Sequence, residues 1–298
     1  MAKTLMSKFN HKLLATAIIG VLTFFGLEVL SYTVGIYQID NFFTQAFFLY
    51  AFLVFWLIFI FDIHIRDRAA TEFLVRIEHI LNIRNFGHLV NSLVLPGLVY
   101  WPVVVLMFLN PFSGLIKQIL VVTGSISLTF IYWYFTQTFS EKLEAHDLGL
   151  KILNLVKVYS AFLVFAASLG TAWYFGLGQG PVFQTVFLAT FLLLFQALFQ
   201  HRMINLKTDL WLILASLLIA GFAVLIFDFW NRNYFSGALV VAANYNLIWS
   251  LLHHYLEKNL TNKLAWEYIL MTAVLISLVA VTQNFSAQIG FYSTTMFT

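Results

Sequence analysis

Residues 47–61 read "FFLYAFLVFWLIFIF", fifteen positions without a charge before Asp62. A run this apolar does not suit a water-soluble surface, and it lacks the strict alternation of a half-buried strand. The whole chain repeats the pattern. Of 298 residues, 61% are hydrophobic and 10% charged, against roughly 45–50% and 25% in a soluble domain. Folding on itself cannot hide that much apolar surface, so the solvent is lipid. In lipid every backbone N–H and C=O must be satisfied within the chain, which leaves helices or a closed barrel. The alternating segments of a barrel are absent. With 33 Phe and only 4 Pro, the apolar runs read as continuous helices.

A membrane crossing needs about 20 apolar residues. That rule places spans near 13–36, 42–61, 88–109, 116–138, 151–176, 182–200, 208–230, 236–256 and 263–285. The expected fold is therefore all-α: a polytopic transmembrane helical bundle of about nine spans, a lone N-terminal helix followed by four helical hairpins. The chain, 1–298, is expected to form a single integral membrane domain. The basic stretch before the first apolar run resembles a signal peptide, but the run is too long and no A-x-A-like site follows, so it reads as an uncleaved first span.

Lysines and arginines set the orientation. Lys3, Lys8 and Lys12 precede the first span. Arg66, Arg68, Arg76, Arg84, Lys142, Lys151, Arg202, Lys207, Lys258 and Lys263 follow spans two, four, six and eight. The other side holds only Lys117 and Arg232. This predicts a cytoplasmic N-terminus and an external C-terminus, with all eight histidines on or near the inner face. The net charge of +3 follows from this placement, and no nucleic-acid partner is expected. The partners expected are the bilayer and other membrane proteins. In the long inner connection, 69–83, Phe73, Leu74, Ile77, Ile80 and Leu81 share one helical face, opposite Glu72, Arg76 and His79. That amphipathic pattern predicts an interfacial helix, with a linker packed on the bundle's own loops as the alternative. Pro96 and Pro102 are expected to bend span three.

The most chemically loaded stretch is "NYNLIWSLLHHYLEKNL", 244–260. Asn246, Ser250, His253 and Glu257 fall at i, i+4, i+7 and i+11, on one face of span eight; His254 lies about 100° round the helix. Gln137 and Glu141 at the end of span four, and Gln196, Gln200 and His201 at the end of span six, carry similar groups. Membrane helices turn polar groups toward one another or toward a wet cavity. Two readings stay open: hydrogen bonds between helices, or a cytoplasm-facing vestibule walled by these ten residues that holds a lipid headgroup or small polar solute. A metal site would use His253 and Glu257 with His201 or His64, but the H-E-x-x-H pattern is missing. No metal and no cofactor are expected. With no cysteine, disulfides, thiolate metal sites and cysteine nucleophiles are excluded. A retinal-type Schiff base would need a mid-membrane lysine; the one candidate, Lys157, is expected to snorkel to the interface. Glu28 is the carboxylate inside a span, with Lys117 and Arg232 on the correct side to partner it.

The segment "LIWSLLHHYLEKNLTNKLAWEYILMTAVLISLVAVT" resembles the closing part of an uncharacterised multi-spanning membrane family of candidate-phyla bacteria with reduced genomes. The residues carrying the resemblance are His253, His254, Leu256, Lys263, Trp266, Glu267, Tyr268 and Leu270. "FQALFQHRMI" resembles that family's sixth span and "LVLPGLVYW" its Leu-Pro third span. The resemblance implies a bacterial cytoplasmic-membrane protein and lends no activity. Three function classes follow: a non-enzymatic scaffold or subunit of a membrane assembly, a transporter or lipid-handling protein, and a membrane-embedded enzyme using His253, His254 and Glu257. The first is favoured, because no catalytic constellation is visible.

Overall fold

The computed structural model describes residues 2–34, 39–65, 93–110, 113–138, 147–200, 206–230 and 233–288. These form nine helices and no strand among the described residues. They are α1 (Ala2–Thr33), α2 (Ile39–Ile65), α3 (Leu95–Leu109), α4 (Gly114–Thr138), α5 (Asp147–Tyr174), α6 (Gln179–Gln200), α7 (Leu206–Phe229), α8 (Tyr234–Leu256) and α9 (Asn262–Gln288). In seven of them, α1 and α4 to α9, the described residues are long and apolar enough to cross a membrane. Residues 69–83 lie outside the described residues.

Two boundaries depart from expectation. Helix α1 begins at Ala2, so the basic N-terminal segment is helical and not merely a flank. Helix α3 begins at Leu95, with Pro96 in its first turn. Proline there removes an N–H that has no intrahelical partner in any case, so Pro96 starts this helix instead of bending it. Pro102 does lie inside α3.

The chain divides into two compact units, Met1–Ala167 and Ser168–Thr298. In the first, α4 packs against α1 and α3, and α2 lies against α1. Its core is aliphatic, with Val99, Val103, Leu106 and Met107 of α3 and Val121, Leu128 and Ile131 of α4 fully buried. Tyrosines tie this unit together by donating hydroxyls to backbone oxygens. Tyr100 donates to the Ala46 carbonyl and Tyr132 to the Leu53 carbonyl, both at 2.7 Å on α2. Tyr50 returns a bond from α2 to the Leu93 carbonyl at 3.2 Å. Gly97 makes that bond possible, since a Cβ there would sit 2.7 Å from the Tyr50 hydroxyl. The Tyr50 and Tyr100 rings stack at 5.2 Å.

Pro102 has a second consequence. It has no N–H to give to the carbonyl four residues earlier, that of Leu98. The Ser160 hydroxyl of α5 donates to that oxygen at 3.0 Å. The proline thereby creates the acceptor that draws α5 to α3.

In the second unit α7 packs on α6 and α8, and α9 packs on α8. Along α6 a ladder of Phe183, Phe187, Phe191, Phe195 and Phe199 stacks ring on ring at 6.2–6.5 Å. Four residues is close to one helical turn, so each side chain lies nearly above the last. Trp173 stacks on Phe227 at 5.7 Å. The turn between α5 and α6 passes through Gly176 at φ +63°, a conformation glycine adopts without a Cβ clash. Asn233 caps α8 by accepting from the Ser236 N–H at 3.2 Å.

The bond to the Leu98 carbonyl can be tested by a double-mutant cycle in detergent. Ser160→Ala is expected to cost about 1 kcal/mol of unfolding free energy in the wild-type background. It is expected to cost little in Pro102→Ala, where the new N–H satisfies the same carbonyl. Equal costs in both backgrounds would refute the pairing.

Candidate functional site

Helix α8 ends at Leu256, so the His-His pair occupies its last turn and Glu257 is the C-cap. The exit is a Schellman turn. Lys258 donates its N–H to the Tyr255 carbonyl at 3.1 Å and Asn259 to the His254 carbonyl at 3.1 Å. Such turns place the residue after the cap in the left-handed region, normally glycine; here Lys258 holds φ +59°. Thr261 then opens α9, its hydroxyl accepting from the Leu264 N–H at 3.3 Å.

This turn gathers four side chains into one hydrogen-bonded chain. His253 Nε2 lies 3.2 Å from Glu257 Oε1. Asn259 Nδ2 donates to Glu257 Oε2 at 3.0 Å. That orients the Asn259 amide so that its oxygen faces His254 Nδ1 at 2.8 Å. An amide oxygen only accepts, so Nδ1 carries the proton. The neutral ring then leaves Nε2 to accept from the Tyr268 hydroxyl of α9, 3.1 Å away. The rings are layered as well: Trp249 on His253 at 5.3 Å, His253 beside His254 at 5.6 Å, and His254 on Tyr268 at 5.7 Å. Histidines in the last turn also sit favourably against the negative end of the helix dipole.

Chemically this is a brace. Each Glu257 oxygen and each His254 ring nitrogen has a protein partner, and the chain joins α8 to α9 across the turn. Among the described residues no group of three His, Asp or Glu side chains is placed to hold a metal ion.

The other candidates fall elsewhere. Gln196 is 1% exposed, and its amide has no hydrogen-bond partner among the described residues. Asn246 is exposed, Ser250 half-buried. The side chains of Gln137 and Gln200, and residues Glu141, His201 and Arg232, lie outside the described residues, as does the side chain of His64. Asn259 and Tyr268, both needed by the brace, carried no weight in the sequence reading. The signal for them was chemical: a histidine at a helix end needs partners for two nitrogens, and the following turn and helix start supply an amide and a phenol.

Two expectations are corrected. Glu28 does not pair with Lys117. Its carboxylate takes the Gln118 amide at 2.8 and 3.0 Å, while the Lys117 ammonium donates to the Ser31 carbonyl near the end of α1 at 2.8 Å. The preceding residue of α4 thus serves the helix end and the next one serves the acid. Lys157 does not snorkel. It is 2% exposed, with Nζ 3.3 Å from Asn154 Oδ1. Helix α5 starts at Asp147, which puts Lys157 about 15 Å along it, too deep for its stem to reach the helix end.

Because Asn259 is the link between Glu257 and His254, Asn259→Ala is expected to loosen the whole turn. Amide exchange across 257–263 is expected to rise by about tenfold, for a loss on the order of 1.4 kcal/mol from two bonds, with the cores of α6 and α7 unchanged. Unaltered exchange would show that the brace holds nothing.

No curated protein and no solved structure matches this chain. A family model described as a protein of unknown function (DUF5656) matches residues 27–282. That match reaches well beyond the C-terminal third, into both compact units, and on that extent the chain belongs to the DUF5656 family.

Proposed function

We propose that this is a multi-pass membrane protein without catalytic activity, acting as a subunit or scaffold of a larger membrane assembly in a bacterial cytoplasmic membrane. In this reading the chain works as one integral membrane domain with nine spans, its N-terminus and basic connections on the cytoplasmic side. The observation that carries it is the state of α9. Only 6% of its apolar span Asn262–Thr282 is buried, against 67% for that of α5.

A span that packs on one neighbour leaves most of its surface for something else. The free face of α9 presents Trp266, Leu270, Ala273, Ser277 and Val281 along a shallow apolar groove. Ala273 and Ser277 are small and four residues apart, the spacing that lets two membrane helices approach closely. The self-satisfied His-Glu-Asn-Tyr brace supports the same reading: it fixes α9 to α8 and leaves no nucleophile–base pair open to a substrate.

Two measurements test it. Because the chain has no cysteine, Ala273→Cys gives a single thiol for cross-linking in native membranes. A defined partner band is expected, reduced about tenfold in a chain that also carries Ser277→Phe, a loss of about 1.4 kcal/mol. A chain that is cross-linked to nothing and purifies alone in mild detergent would sink the proposal. For orientation, a reporter after Thr298 is expected outside, and one in the 258–263 turn inside; the same compartment for both would overturn the layout.

A further inference from the structure

Between the first turns of α7 and the last turns of α8 lies a groove of about 300 Å³, separate from the α9 face and independent of the reading just given. Trp211, Leu214 and Leu218 of α7 face Ile248, Leu252 and Tyr255 of α8. Both sets are spaced i, i+3 or i+4, i+7, so each forms a seam along its helix. The gap exists because α7 contributes Ala215 at the floor. Ala215 and Leu252 are buried, whereas Leu214, Leu218 and Tyr255 on the walls are exposed, so the groove opens sideways along its length.

Its occupant has to match three features. The lining is apolar apart from the Trp211 indole and Tyr255 hydroxyl at one end, which excludes a polar solute and leaves a peptide backbone unsatisfied. The volume is too small for a helix some 10 Å across. The seam from Trp211 to Leu218 runs for about 10 Å, roughly a third of a bilayer's hydrocarbon thickness. A flexible acyl chain satisfies all three.

The end of the groove is charged. Leu260 closes it, and Leu260 lies in the turn between Lys258 and Lys263. Both lysines are exposed, and neither makes an ion pair among the described residues. Glu257 does not neutralise them, because its oxygens are occupied by His253 and Asn259. Asp209 is two residues from Trp211, about 200° round α7. Glu267 is on α9, which does not line the groove. Trp211 and Tyr255, edge to face at 5.8 Å, are the amphipathic ring types that settle at the headgroup level. Lys258 further occupies a left-handed position that glycine fills with less strain, which sets an ammonium at the groove's mouth where a glycine would leave none.

We propose that this groove is a binding site for an anionic phospholipid: one acyl chain between α7 and α8, the phosphate at Lys258 and Lys263. The lipid comes from the leaflet at the basic end of these helices and fills the gap that Ala215 opens.

The test uses the full chain in nanodiscs with phosphatidylglycerol or phosphatidylcholine carrying a photoactivatable acyl chain, adducts being mapped by mass spectrometry. Adducts are expected to concentrate on Leu214–Leu218 and Ile248–Leu252, with phosphatidylglycerol favoured by about fivefold for each lysine. Ala215→Phe is expected to abolish groove adducts while leaving those on exposed α9, which also reports that the variant is inserted and folded. Should Ala215→Phe not fold, the paired substitutions Lys258→Gln and Lys263→Gln, on an exposed turn, carry the test: they are expected to equalise the two lipids. The proposal is overturned if adducts merely follow exposure over all helices. It is equally overturned if the lipid preference survives the lysine substitutions, or if a second copy of the chain cross-links across the groove.

Discussion

The constraint on which this structure depends is that a polar group among apolar neighbours must find its partner inside the chain. In water a proline's orphaned carbonyl or a buried phenol can turn to solvent; in a bilayer there is none. The first unit is organised by that requirement. The Leu98 carbonyl, deprived of its donor by Pro102, is served by Ser160. The hydroxyls of Tyr100 and Tyr132 go to backbone oxygens of α2. Without a hydrophobic drive between helices in lipid, such bonds and close packing choose which helices become neighbours.

In the second unit the same requirement acts at a helix end. The last carbonyls of α8 accept bonds from the Schellman turn, and the side chains there satisfy one another through Asn259. The result couples α8 firmly to α9 while leaving most of α9 bare. Helices α7 and α8 meet less closely, because Ala215 stands where a larger residue would have closed the space. A bare helix and an apolar groove would be liabilities in water. In a bilayer they are surfaces on which a partner helix or a lipid chain can pack without a desolvation penalty.

The candidate site was legible in part. Helical spacing places His253 and Glu257 on one face, and their side chains lie 3.2 Å apart. Spacing also puts Asn246 on that face, yet Asn246 is exposed, because what covers a helical face depends on the neighbour at each level and not on the face alone. His254, set aside because it points another way, is the residue that crosses to α9. Its partner Tyr268 is fourteen residues along the chain, beyond the reach of any within-helix rule. Lys157 and Glu28 show the same limit: depth and neighbouring helix decided their partners.

By itself the sequence determined the class of structure and the identity of most of its helices. Apolar run length and the absence of alternation leave a chain in lipid no other way to bond its backbone, and both are local quantities. What only the tertiary structure decided is pairing: Ser160 with Leu98, Gln118 with Glu28, His254 with Tyr268, and a groove where Ala215 faces α8. These depend on the rotation and depth of one helix against another. Those in turn are set by shape and hydrogen-bond complementarity between segments distant in sequence, for which a single chain's hydropathy carries no signal.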